Sequence, residues 1–274
     1  MIEALVRPRG PYRLHLMTYG KPLFSTALPD GGVGSAWQGS DGLLRLRAPD
    51  ERGLELLRFV LAVDADTSEF AARFRHDPLL GASVRGLHGL RPLRRPTVAG
   101  AVLAAICGQL IDSRRARALE RTILRACGEQ APRRETLGAL SPAALRRLGL
   151  ATPRASTLVR LCRTIDLEGL RAQPTDAVAR RLLRERGFGP WSLGVVALTG
   201  LGSYRYGLVG DLGLVKLCSA LRDRWVEPWE TAELLEPYGE WAGLAGAYLM
   251  AGWARGLVPG AEAGKARLAR ARAA

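Results

Sequence analysis

Residues 1–65 alternate polar and apolar side chains over short stretches that end at glycine or proline. Residues 12–17 (YRLHLM) alternate as a half-buried strand would, and residues 43–47 and 57–61 are two further strand candidates. Residues 29–32 (PDGG) combine proline, aspartate and glycine, which favours a turn. The pattern therefore predicts a small β-sheet near the start of the chain.

Beyond Asp64 the apolar residues recur every three or four positions, which is the spacing of helices that bury one face. Residues 66–69 (DTSE) can cap a helix that runs toward Arg75, and Ser141 followed by Pro142 places a cap residue before a first-turn proline. The same periodicity predicts further helices within residues 97–127, 158–165, 177–185, 212–225 and 242–254.

These elements predict a mostly α protein with a small N-terminal β domain, an α+β fold. Residues 1–90 are the predicted sheet-containing domain and residues 91–260 the predicted helical region, and the Pro- and Arg-rich segment 90–96 connects them. Residues 261–274 form a basic, alanine-rich tail, for which we expect a solvated segment, with a helix as the alternative.

The chain is strongly basic, with 40 Lys and Arg against 26 Asp and Glu and a net charge of +14. Most of the positive residues are arginine, which keeps its charge and binds phosphate with a planar fork. Such a surface attracts nucleic acid or an anionic membrane. The alternative is an arginine-rich surface that only reflects a GC-rich genome.

Several classes of protein are disfavoured by composition. No apolar run suits a signal peptide or a membrane span, so we expect a cytoplasmic protein that does not bind membranes. The four cysteines lie far apart without a CxxC pair, which indicates reduced, mostly buried thiols. The three histidines are scattered, so neither a zinc nor an iron–sulfur site is predicted, and we expect no metal bound by side chains.

The segment 184–192 (RERGFGPWS) lies between two predicted helices and carries the first candidate site. Gly187 and Gly189 allow a tight turn and a close approach of the backbone to a ligand, while Phe188 can anchor the turn in the core. Because a helix starts directly after the turn, its free amide groups can bind phosphate. A plain turn between two helices is the alternative interpretation.

The segment 209–214 (VGDLGL) follows and leads into another helix. Asp211 is well placed to cap that helix, which is the commonest task of such an aspartate. It also lies at the positive end of the helix, where a carboxylate stays ionised. An ionised carboxylate can stabilise a developing positive charge on a sugar or activate a water molecule.

The two segments together resemble the hairpin and the catalytic aspartate of the helix-hairpin-helix DNA glycosylases, and the AlkA-type 3-methyladenine DNA glycosylases in particular. Residues 106–112 (ICGQLID) and 237–241 (PYGEW) resemble two further segments of that family, in the same order. The resemblance covers residues 66–255, and the N-terminal sheet matches the extra domain of AlkA-type members. It implies the helix-hairpin-helix glycosylase architecture.

By position, the resemblance assigns Asp211 as the catalytic carboxylate. It assigns Gly187, Phe188 and Gly189 to a hairpin that holds phosphate through its backbone, with a monovalent cation as an optional cofactor there. Gln109 and Leu110 would lie on the loop that fills the gap left by the flipped nucleotide. For Leu110 ordinary helix packing stays open. Arg114, with Arg115 and Arg117, would reach phosphates or stay solvated.

Four residues are assigned to the base pocket and to DNA contacts around it: Trp191, Val195, Tyr248 and Met250. An aromatic face at Trp191 would stack on an electron-poor alkylated base, with core packing as the alternative. Val195 and Met250 stand where the family carries aromatic residues, and Ala242 stands where an arginine is usual. The preferred lesion is therefore open.

Bifunctional relatives carry a lysine nucleophile two residues after the second hairpin glycine, where this chain has Trp191. Without that amine no Schiff base with the sugar is expected. The resemblance thus implies a monofunctional enzyme, acting as a monomer on duplex DNA with a damaged base, in base excision repair. The alternative is a helix-hairpin-helix DNA-binding protein with little or no glycosylase activity. A protein for RNA or membrane surfaces is the remotest interpretation.

Overall fold

The structure is a computed structural model that describes residues 1–109 and 111–262. It has a mostly helical α+β fold with one four-stranded antiparallel sheet, as the sequence predicts. The strands are β1 (Ile2–Val6), β2 (Leu23–Ala27), β3 (Val33–Gln38) and β4 (Leu44–Ala48). The helices are α1 (Leu14–Met17), α2 (Glu51–Val60), α3 (Ser68–Phe74), α4 (Gly81–Gly86), α5 (Val98–Gly108), α6 (Ser113–Cys127), α7 (Arg134–Ala139), α8 (Pro142–Arg147), α9 (Thr152–Thr164), α10 (Thr175–Leu183), α11 (Pro190–Val196), α12 (Leu212–Arg222), α13 (Thr231–Leu235) and α14 (Ala242–Trp253).

The sheet has the strand order β1-β4-β3-β2. Its register pairs Ile2 with Ala48 and Ser35 with Arg47. Alternate residues of β4 face the core: Leu44, Leu46 and Ala48 are buried. The predicted turn at residues 29–32 joins β2 to β3 and is closed by a hydrogen bond from the Leu28 amide to the Gly32 carbonyl (2.8 Å). The strand predicted at residues 43–47 is confirmed as β4.

Two of the predicted strands are wrong. Residues 57–61 belong to the end of α2, because Leu54, Leu57 and Val60 are buried at helical spacing and Asp50 caps the helix through the Gly53 amide (2.8 Å). Residues 12–17 include the short helix α1 instead of a strand. There the Leu14 amide donates to the Gln38 side chain (2.9 Å), so its partner is a side chain and not a neighbouring strand.

The described residues form two large hydrophobic cores and one small cluster. The first combines the sheet and α2–α4 with the C-terminal helices α12–α14, and Phe70 contacts Tyr248 there with ring centroids 5.1 Å apart. The second lies among the helices between α5 and α11. The N-terminal segment thus shares its core with helices α12–α14. The predicted domain boundaries at residues 90 and 260 rest only on the change in residue pattern along the sequence.

The helices predicted beyond Asp64 are present, and the long stretch 97–127 divides into α5 and α6. The first helix ends at Gly108, and Asp112 caps the start of α6 by accepting from the Arg114 and Arg115 amides (both 3.0 Å). Ser141 caps α8 with Pro142 in its first turn, as predicted. The predicted tail, residues 261–274, lies outside the described residues from position 263 onward.

The four cysteines are free thiols, and three of them are buried. Burial raises the pKa of the Cys107 and Cys162 thiols to about 12, so both stay protonated at neutral pH. Over residues 1–109 and 111–262, no helix combines the length and apolar character needed to cross a membrane.

Candidate active site

The hairpin between α10 and α11 is built around two glycines in different conformations. Gly187 has a φ of +82°, and a Cβ there would lie 2.7 Å from the Thr157 hydroxyl oxygen. Gly189 precedes α11 with an ordinary φ of −103°, and nothing lies within 4 Å of the position of its Cβ. Phe188 is 4% exposed and belongs to the second core, which confirms its predicted anchoring role. The hairpin is therefore closed on one side by packing and open beside Gly189.

Gln109, at the end of α5, contacts the hairpin directly. Its Nε2 donates to the Gly187 carbonyl and to the Ser192 Oγ, both at 2.9 Å. The family resemblance implies that Gln109 lies on the gap-filling loop, and in the structure its side-chain amide also joins this loop to the hairpin. Leu110, the predicted wedge residue, lies outside the described residues.

Asp211 is the N-cap of α12. Its Oδ1 accepts from the Gly213 amide (2.8 Å) and the Leu214 amide (3.4 Å), so the capping interpretation is confirmed. Its Oδ2 accepts from the Trp191 Nε1 at 3.0 Å. The carboxylate is half-buried at the positive end of a helix, and each of its oxygens has a donor. This arrangement fixes the orientation of the carboxylate, and the residue remains partly exposed.

Trp191 links the hairpin to Asp211. Its ring lies so close to Gly108 that a Cβ on Gly108 would come within 2.5 Å of the ring atom Cη2. A larger residue at position 108 would displace the indole and, with it, the hydrogen bond to Asp211. Gly108 is visible in the sequence as the glycine of the segment 106–112. Its contact with Trp191 is seen only in the folded structure.

Met250 and Val195 have different surroundings. The Met250 thioether covers Gly213 in the first turn of α12, with its sulfur 2.9 Å from the position of a Gly213 Cβ. Met250 thus lies beside the Asp211 carboxylate, whose Oδ1 is 3.0 Å from the same position. Val195 is half-buried and packs against the second core.

Tyr248 lies in the first core. It is 2% exposed and packs on Phe70. Burial raises the pKa of its phenol above the usual range. Its side chain therefore contributes to packing among the C-terminal helices.

Exposed arginines surround the hairpin. Arg180, Arg181, Arg184 and Arg186 lie on α10 and on the turn that follows it. Arg160 pairs with Glu185 and donates to the Arg186 carbonyl (2.8 Å), which fixes the start of the turn. Arg114, Arg115 and Arg117 are exposed on the first turns of α6, directly after the Gln109 loop. Arg184 and Arg186 belong to the segment 184–192, but the family resemblance assigned none of these four arginines to DNA contacts.

Within residues 1–109 and 111–262, no three His, Cys, Asp or Glu side chains come together as a metal site would require. Backbone carbonyls of the hairpin are the remaining candidate ligands for a monovalent cation. Those of Arg186 and Gly187 already accept hydrogen bonds from Arg160 and Gln109.

No family model matches the chain. The chain is 24% identical over 204 residues to the DNA-3-methyladenine glycosylase of Bacillus subtilis (strain 168), which covers 68% of this chain and 67% of the relative. Among solved structures, a 3-methyladenine DNA glycosylase from Archaeoglobus fulgidus superimposes with a TM-score of 0.78 at 18% identity, over 91% of this chain and 97% of the other.

A second solved structure is the Clostridium acetobutylicum 8-oxoguanine glycosylase/lyase in complex with double-stranded DNA. It superimposes with a TM-score of 0.72 at 15% identity, over 94% of this chain and 99% of the other. The shared fold extends over nearly the whole chain, including the N-terminal sheet. The resemblance on which the sequence analysis relies is thereby confirmed.

Proposed function

We propose that this chain, which has the fold of the DNA glycosylases, is a monofunctional DNA N-glycosylase that removes alkylated bases from duplex DNA in base excision repair. The observation that carries the proposal is the carboxylate of Asp211, held by the α12 amides on one oxygen and by Trp191 on the other. Trp191 follows the hairpin directly and contacts Asp211, which is 20 residues further along the chain. The proposed DNA-binding hairpin and the proposed catalytic carboxylate therefore lie side by side.

In the proposed reaction, the damaged nucleotide is flipped out of the duplex and its sugar lies against Asp211. The bond between C1′ and the base nitrogen breaks, and its electron pair leaves with the base. The negative Asp211 stabilises the positive charge that develops on the sugar. A water molecule then adds to C1′ and loses a proton, and we propose that Asp211 accepts this proton. The products are a free base and an abasic site.

Trp191 supports the monofunctional assignment. It occupies the position of the lysine nucleophile of bifunctional relatives, and its N–H donates to Asp211. An indole cannot form a Schiff base with the sugar, so the strand is left intact at the abasic site.

The hairpin is the proposed phosphate grip. The open space beside Gly189 leaves room for a phosphate near the first amides of α11, which point away from the helix. The exposed arginines of α10 and Arg114 on α6 would add electrostatic attraction that is independent of DNA sequence. A monovalent cation at the hairpin would use backbone carbonyl oxygens: that of Gly187 keeps a second lone pair beside its hydrogen bond from Gln109, whereas that of Arg186 already accepts from Arg160 and Thr157. One chain carries all of these parts, so we expect it to act as a monomer.

The proposed base pocket lies around Trp191 and Met250, with Val195 at its edge. A pocket with one aromatic ring stacks less strongly on a base than one with several. We therefore propose cationic lesions such as 3-methyladenine and 7-methylguanine as substrates, because a positively charged base leaves readily. A neutral lesion would need more help from the protein.

The test is base release from duplex DNA treated with a methylating agent, under single-turnover conditions, with the wild type and Asp211→Asn. Asparagine can still cap α12 through its oxygen, so the fold should persist. We expect release by the wild type and a loss of at least about 100-fold in the variant, as for other groups that stabilise charge in a transition state.

The alternative is a DNA-binding protein without glycosylase activity. It would release no base in either form while binding duplex DNA tightly, which would overturn the proposed function. The side-chain amide introduced by Asp211→Asn would face the Trp191 N–H, so Trp191→Phe combined with Asp211→Asn serves as a control in which that clash of two donors is absent.

A further inference from the structure

Trp229 is an exposed indole in a part of the chain that the assigned site does not include. It is 64% exposed, and among the large aromatic side chains of residues 1–109 and 111–262 only Tyr19 is comparably open, at 88%. A large aromatic ring gains its full stabilisation only when it is covered. An open indole on a fixed support is therefore a candidate for contact with another molecule.

The support of Trp229 is rigid. Trp229 lies in the 3₁₀ turn Pro228–Glu230, in which the Glu227 amide donates to the Glu230 carboxylate (2.7 Å). Glu230 is 4% exposed and pairs with Arg222 (2.7 Å) and with Arg224. Hydrogen bonds from Arg224 and the Glu227 amide lower the pKa of Glu230 to about 2. The turn is thus held by an ion-pair network that stays charged at neutral pH.

The same turn is attached to the loop that carries Asp211. The Gly210 amide donates to the Thr231 hydroxyl (2.8 Å), and that hydroxyl donates to the Pro228 carbonyl (2.7 Å). Pro228 Cβ lies 3.6 Å from the position of a Gly210 Cβ. These contacts place the Cα atoms of Trp229 and Asp211 at most about 14 Å apart, given the 3.8 Å spacing of consecutive Cα atoms. That distance spans only a few nucleotides, which rise about 3.4 Å each along a strand.

We propose that Trp229 is a DNA-contact residue that stacks on a base close to the flipped nucleotide. The proposal rests on the proposed function for its ligand, duplex DNA. A base offers an apolar face to an indole, and such stacking is tolerant of sequence. Trp229 carries no charge, so its contribution differs in kind from that of the arginines around the hairpin.

The experiment measures binding to a duplex with a tetrahydrofuran abasic analogue, which the enzyme cannot cleave, across a series of salt concentrations. The variants are Trp229→Ala, Trp229→Phe and, as a matched control at an exposed aromatic residue of the N-terminal segment, Tyr19→Ala. We expect Trp229→Ala to bind about 5- to 150-fold more weakly, the range that base stacking on an aromatic residue provides. Trp229→Phe should restore most of the affinity, and Tyr19→Ala should bind like the wild type.

Two further measurements identify the contact as stacking. The slope of log Kd against log salt concentration should be unchanged in Trp229→Ala, because no phosphate contact is lost. A 2-aminopurine placed next to the analogue should fluoresce more strongly with Trp229→Ala than with the wild type, because stacking on the indole quenches it. Thermal unfolding of each variant checks that the overall fold is retained.

Wild-type affinity of Trp229→Ala, or a loss that Trp229→Phe does not restore, would overturn the proposal. So would a reduced salt slope, which would indicate a displaced arginine. Failure of the proposed function would be recognised separately. If the wild type releases no base from methylated DNA but its binding to the analogue duplex still depends on Trp229, the protein binds DNA through this contact without being a glycosylase.

Discussion

The two hairpin glycines should respond to alanine in opposite ways. Gly187→Ala places a side chain on a backbone with φ +82° and 2.7 Å from the Thr157 hydroxyl. Gly189→Ala places the same methyl group on a backbone with φ −103° and into open space. The pair is matched because the chemical change is identical and the two positions are separated only by Phe188.

The free energy of unfolding should fall mainly in Gly187→Ala. A residue with a Cβ costs about 1–2 kcal/mol in the left-handed conformation. The Thr157 hydroxyl must also move, which endangers its 3.2 Å hydrogen bond to the Arg186 carbonyl and adds about 0.5–1.5 kcal/mol. Gly189→Ala changes only the residue before α11 and should cost at most about 1 kcal/mol, since alanine is a poorer N-cap than glycine.

DNA affinity should fall in Gly189→Ala, because its methyl group occupies the space through which a phosphate would reach the α11 amides. Loss of one hydrogen bond to a charged phosphate corresponds to about 1.5–3 kcal/mol, or about 10- to 150-fold in Kd.

Urea unfolding measures the first effect, and binding to the abasic-analogue duplex at fixed salt measures the second. Wild-type DNA affinity of Gly189→Ala would refute the phosphate grip. Wild-type stability of Gly187→Ala would refute the hairpin geometry.

Two further predictions concern Trp191 and Glu230. Trp191→Phe keeps the ring near Gly108 but loses the hydrogen bond to Asp211. Single-turnover base release should therefore slow by about 10- to 150-fold, the equivalent of a hydrogen bond to a charged group, with DNA affinity unchanged. Wild-type release would show that the indole N–H has no role. Glu230→Gln should lower the free energy of unfolding at neutral pH. The lowered pKa of Glu230 gives stability above pH 4.5 that is lost as the carboxylate is protonated, so the difference in unfolding free energy between variant and wild type should shrink as pH falls from 4.5 toward 2. Urea unfolding across that pH range checks this, and a difference that does not depend on pH would contradict it.

Local signals were sufficient for the parts of the site that a few neighbouring residues determine. The cap at Asp211 follows from an aspartate before a helical pattern, and the anchoring of Phe188 follows from an apolar residue between two glycines. Propensity misled the interpretation of residues 57–61, where the helical burial pattern of α2 outweighs the β-branched and aromatic composition.

The sequence by itself determined the fold class, the order of the helices beyond Asp64, the hairpin and the candidate carboxylate, because each depends on residues close together along the chain. Only the tertiary structure decided that Trp191 holds Asp211 across 20 positions and that Gln109 holds Gly187 across 78. It also decided that the Trp229 turn is attached to the Asp211 loop and that Tyr248 belongs to the first core. Such contacts depend on how helices pack against one another, and neither hydrophobic periodicity nor capping residues specify that packing.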